Sequence, residues 1–141
     1  MKKLLCFLFA LGCFGGAYAD MGTKQFRDAI TKCDDARDAA MSGKNSTNDM
    51  NKAVLDSSNC YMKVGGAVIS KYYKETAKDI GKKFIAFANA IYAASLNLYS
   101  GPDECYPECG QIAENLRINM TEAAIKKYIT DMLDYIDMLD V

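Results

Sequence analysis

Six cysteines and a complete lack of histidine set the chemistry open to this chain. Cys6 and Cys13 fall in an apolar N-terminal run; the other four are Cys33, Cys60, Cys105 and Cys109. An even set of this kind is a disulfide framework where the compartment is oxidising, and a metal site or redox pair where it is not. The close pair is spaced C-x-x-x-C, and Tyr106, Pro107 and Glu108 between its members bring no basic group to lower a thiol pKa. Structural disulfides are therefore expected. Without histidine there is no Ser-His-Asp or Cys-His nucleophile, no His-ligated zinc and no C-x-x-C-H haem attachment. Neither a Gly-rich phosphate loop nor a G-x-S-x-G elbow occurs. The reading is of a non-enzyme, with no catalytic residue, no cofactor and no metal.

A second candidate lies at the C-terminus, where Asp131-Met132-Leu133-Asp134 is echoed by Asp137-Met138-Leu139-Asp140. On a helix, aspartates three apart step back by about 60° each time, so the four carboxylates sweep around half the surface. They also crowd the negative end of the helix dipole. The plain interpretation is a solvated face. The sharper one is a docking edge for a protein partner, formed by Asp131, Asp134, Asp137 and Asp140 with the adaptable thioethers of Met132 and Met138. A calcium site is disfavoured because the spacing lacks the Gly-containing loop that such sites use. Asn45-Ser46-Thr47 and Asn119-Met120-Thr121 match the glycosylation pattern but read as chance beside a bacterial-looking start.

That start explains the compartment. Met1-Lys2-Lys3 is followed by an uncharged apolar run from Leu4 to Phe14, and then by Gly15-Gly16-Ala17-Tyr18-Ala19-Asp20. Small residues at Ala17 and Ala19 fit the pocket of a signal peptidase, which places cleavage after Ala19. The run is too short for a membrane anchor, which needs about 20 apolar residues. Residues 1–19 are thus read as a signal peptide and 20–141 as one helical domain, periplasmic or secreted. Ala10-Leu11-Gly12-Cys13 offers the competing reading of a lipoprotein anchored through Cys13. Loss of the leader removes Lys2 and Lys3 and leaves a mildly acidic chain of about 120 residues, enough for a modest core. Such a chain has no clustered cations for nucleic acid, so none is expected as partner.

The elements that must position these residues are helical. Lys24 to Met41 is a first helix, with Phe26, Ile30, Cys33 and Ala40 on one face, and Gly43 is suited to a left-handed cap. Ser46, Thr47 or Asn48 caps a second, whose inner face is Ala53, Ser57, Cys60 and Val64. Gly65-Gly66 suggests a kink or short break, after which one long helix runs to about Tyr99. In it Tyr73, Ile80, Phe87 and Ala94 alternate with Ala77, Phe84, Ile91 and Leu98 at 4-3 spacing. Phe84 to Tyr99 carries no charge, which points to the central helix of the bundle. Ser100-Gly101-Pro102 ends it, a short helix spans Gln111 to Arg117, and Asn119 with Glu122 resembles a capping box opening a last helix to about Asp140. Its apolar face is Ile125, Ile129, Met132, Ile136 and Leu139. Nine tyrosines and no tryptophan suit bundle edges.

The expected fold is all-α: an antiparallel bundle of about four helices, beginning with a disulfide-clamped hairpin. Cys33 lies 13 residues before Ser46 and Cys60 lies 14 after it, so a turn there brings both to one height, about 20 Å from the turn. This favours pairing Cys33 with Cys60 and Cys105 with Cys109. Surface-mediated protein binding is the expected function, as an envelope or secretion accessory subunit or an inhibitor. The alternative is carriage of a small apolar ligand or lipid between helices, lined by Phe84, Phe87, Ile91 and Tyr92.

Overall fold

Helix α1, Thr23–Met41, starts where the Gln25 side chain turns back to accept the backbone N–H of Gly22. Phe26, Ile30 and Cys33, spaced four and three apart, are buried. The next position on that face is Arg37, while Ala40 is exposed, so the apolar stripe stops about two turns before the helix does. Ser42 donates its N–H to the Asp38 carbonyl and Gly43 takes φ +73°, the left-handed cap expected of it. The computed structural model describes residues 21–43, 46–98 and 108–139.

Helix α2, Thr47–Tyr72, follows Ser46 and is continuous through Gly65 and Gly66, so the short break expected there is absent. Gly65 is there for space. A Cβ built on it would lie 2.6 Å from Phe84 Cε1 and 3.0 Å from Ile129 Cγ1, so three helices converge on this one backbone. The break falls instead at residues 73–76, where Thr76 donates its N–H to the Tyr73 carbonyl and its own carbonyl accepts from Asp79 and Ile80. Helix α3, Ala77–Leu98, begins there, so the expected long helix is two.

Helix α4, Glu108–Met138, is also continuous, and the expected new start at Asn119 is absent. Asn119 and Thr121 bond back to the carbonyls of Asn115 and Arg117, at 2.7 and 2.8 Å. Such i−4 bonds let cap-type residues sit inside a helix. Ile125, Ile129, Met132 and Ile136 are buried as expected, joined by Leu133. Leu139 is not; it lies past the last helical residue and is 52% exposed.

The bundle is all-α and antiparallel in sequence order. Arg27 meets Asp134 and Asp137, Asp34 meets Lys126, and Arg37 meets Glu122, so α1 and α4 run in opposite directions. Ser57 meets Glu122 and Asn51 meets Asn115, so α2 and α4 run parallel. A disulfide joins Cys33 to Cys60 with Cα atoms 5.8 Å apart, clamping the α1–α2 hairpin in the register that the spacing predicts. The Cys105–Cys109 pairing lies outside the described residues. Helices α1 and α3 do not touch; both pack on the α2–α4 pair. The central helix is therefore α2, buried on most of its circumference, and not α3. Among the described side chains of α3, Gly81, Phe84, Ala88 and Ser95 are buried, and Ala86, Asn89, Ala90, Ala93 and Ala94 face outward. An uncharged stretch of helix need not be a buried one. Among the described residues no helix is long and apolar enough to cross a membrane.

Candidate functional site

The end of the bundle holding the α1 start and the α4 finish has an apolar core of Phe26, Ile30, Val68, Ile69, Phe84, Ile129, Leu133 and Ile136. Toward the other end the interior turns polar. Glu122 sits at a core position of α4, four residues from Ile118 and three from Ile125, and its side chain is only 8% exposed. Ser57 donates a hydrogen bond to it, and Arg37 Nε lies 2.9 Å away. The Arg37 Nε–H is not directed along that contact, so the attraction is Coulombic and not a hydrogen bond. Beside this, Lys126 Nζ bonds both oxygens of Asp34 at 2.7 and 2.9 Å, and the Tyr61 hydroxyl donates to the same carboxylate. Burial pushes the Glu122 carboxyl above its usual range, outweighing the Ser57 hydrogen bond and the Arg37 charge. Burial would also raise Asp34, but hydrogen bonds from Lys126 and Tyr61 override it and hold that carboxyl low. Tyr61 is raised, by burial first and by Asp34 second.

This network joins α1, α2 and α4, and sequence inspection missed it. Its signals were Glu122 interrupting the Ile118–Ile125–Ile129 stripe and Arg37 one turn beyond Cys33. Each acid already has a base, and Ser57 is engaged with both Glu122 and the Val54 carbonyl. Its arrangement orients helices. Among the described residues no group of three His, Cys, Asp or Glu side chains is placed to hold a metal ion.

The C-terminal aspartates divide. Asp134 and Asp137 each lie 2.7 Å from Arg27 Nη2, across the α1–α4 seam. Hydrogen bonds from Thr23 and then Arg27 hold Asp137 below its ordinary range. Asp131 pairs with Lys127 one turn back on the opposite flank, facing α3. Met132 is buried, Met138 is 81% exposed, and Asp140 lies outside the described residues.

No family model matches the chain, and comparison with curated proteins and with solved structures finds no match.

Between α3 and α4 runs a groove of about 450 Å³ lined by Tyr73, Ile80, Lys83, Tyr128, Asp131 and Met132. Burial first, then Tyr135 and Tyr128, raises the Tyr73 hydroxyl pKa; on α4, Tyr135 follows the groove residues Asp131 and Met132 by one turn of helix. Tyr135 is 53% exposed, so with Met138 and Leu139 it continues the groove into an apolar surface at the end of α4. The residues expected to line a carrier cavity are engaged elsewhere. Phe84 and Phe87 bracket the Tyr128 ring at 5.2 and 5.0 Å, and Ile91 is half-buried. Tyr92 stacks under Arg117 at 4.1 Å and donates to Glu114 at 2.7 Å.

Proposed function

We propose that this is an exported, non-enzymatic helical protein, periplasmic or secreted, that works by binding another protein as an accessory subunit or inhibitor. One observation carries the reading: three large apolar side chains, Tyr135, Met138 and Leu139, are exposed at the end of α4, one to two turns beyond the groove residues Asp131 and Met132. Clustered exposure of this kind marks contact surfaces, whereas single exposed apolar residues are ordinary. The Ala17-Tyr18-Ala19 motif and the Cys33–Cys60 disulfide support export to an oxidising compartment. The docking edge is accordingly redrawn around Tyr135, Met138 and Leu139, with Asp131 at its rim. Arg27 already holds Asp134 and Asp137, so they serve the fold. A photo-crosslinking residue at position 138 in the exporting cell tests this: it should capture a defined protein, while one at the exposed Ser70 should not. No adduct, or the same adducts from both positions, would reject it.

The groove also favours a second reading, since its volume falls within the range of small-ligand pockets. Carriage of an apolar ligand there would show as saturable binding of a fluorescent apolar probe that Ile80→Asp abolishes.

A further inference from the structure

The geometry points to a second copy of this chain as an occupant of the groove, in a two-fold dimer. This deepens the protein-binding reading and rests on it. The two walls carry opposite charges: Lys83 on α3 and Asp131 on α4 face each other across an apolar floor of Tyr73, Ile80, Tyr128 and Met132. An isologous interface requires a surface complementary to itself. A two-fold axis lying along the groove supplies that, because it lays the α3 wall of each molecule on the α4 wall of the other. Lys83 of one copy then meets Asp131 of the second, and the reverse contact forms on the other side of the axis.

The neighbouring charges extend the match. Lys83 is held 2.7 Å from Asp79, and Asp131 is held 2.8 Å from Lys127, each pair within its own helix and well exposed. Joined across the axis, they form a row of alternating sign, Asp79, Lys83, then Asp131 and Lys127 of the second copy, made twice. Exposed pairs of this type contribute little alone and more as networks, so pre-existing local pairing does not oppose the exchange. The apolar centre comes from the groove floors and from the exposed Tyr135, one turn beyond Asp131 on α4. Aromatic residues and methionine at the centre with charges at the rim is the composition of protein interfaces.

Sedimentation of the mature chain across low to high micromolar concentration at low salt tests the assignment. Wild type should dimerise, and Lys83→Glu and Asp131→Lys should each raise the dissociation constant at least tenfold with unchanged helical circular dichroism. The double variant should recover most of that loss. A chain that stays monomeric throughout overturns the inference, as does a dimer indifferent to both reversals. The crosslink at position 138 separates the two levels. An adduct at twice the chain mass supports both, an adduct only at another mass removes the dimer and keeps the binding surface, and no adduct removes both.

Discussion

Glu122 and Asp34 lie in one network and respond to pH with opposite sign. The folded-state pKa of Glu122 is raised above its ordinary 4.5, so its contribution is fully present below that value and lost as pH rises through the folded pKa. Asp34 and Asp137 are held below their ordinary 3.8, so theirs is present above that value and lost as pH falls through the lower folded pKa. Urea midpoints should therefore rise from pH 7 to about pH 4.5 and drop again toward pH 2.5. Equal midpoints at 7 and 4.5 would mean that Glu122 is better solvated than its burial implies. Arg37→Met should cost about 3 kcal/mol at pH 7, because it strands a buried carboxylate. Its cost should shrink at pH 4.5, where that carboxyl is protonated. A cost independent of pH would assign Arg37 a packing role only. Gly65→Ala is the other decisive residue. Alanine favours a helix by about 1 kcal/mol over glycine, yet the new methyl would press on the edge of the Phe84 ring, against which Tyr128 is stacked. We expect a net loss of about 1–2 kcal/mol from overpacking. A rise in Tm would show that the three helices part easily at this point.

At the scale of elements, the last helix offers a paired test. Ile129 is fully buried and Leu139 lies past the helix end. Ile129→Asp should cost at least about 3 kcal/mol, whereas Leu139→Asp should stay within about 0.5 kcal/mol. Similar losses at both would place Leu139 in the core, against its exposure. The Cys33–Cys60 bond closes 27 residues of chain, worth about 3.5 kcal/mol in the chain-entropy model. Cys33→Ala with Cys60→Ala should lower the unfolding free energy by about that amount, measured against oxidised wild type. The hairpin was legible beforehand because distance from the Ser46 turn and facing on each helix agree independently. The break after α2 was not. It contains no glycine or proline, and its one signal is Thr76 three residues before Asp79, weaker than the Gly65-Gly66 pair that lies inside the helix. Asn119 and Glu122 misled in the opposite direction, since cap-type residues also fit mid-helix by bonding back one turn. The charge-free stretch from Phe84 onward does not imply burial, because exposed alanine and asparagine carry no penalty in water. The Arg27 contacts to Asp134 and Asp137 span 107 and 110 residues, so only the three-dimensional register could reveal them.

Across the whole molecule, the ion pairs between different helices among the described residues all join α1 to α4. The remaining seams close by apolar packing and by hydrogen bonds such as Tyr61 to Asp34, Ser57 to Glu122 and Tyr92 to Glu114, and the disulfide fixes α1 to α2. At the end of the α3–α4 flank, Tyr135, Met138 and Leu139 are among the large apolar side chains that the fold leaves exposed. Methionine oxidation reads that flank directly, because a thioether oxidises as fast as peroxide reaches it. In dilute purified protein Met138 should oxidise rapidly, Met120 more slowly and the buried Met132 last. In the intact exporting cell Met138 should be protected several-fold while Met120, five turns away on the same helix, is labelled as before. Equal labelling of Met138 in both settings would mean that nothing covers the end of α4, and would contradict the account.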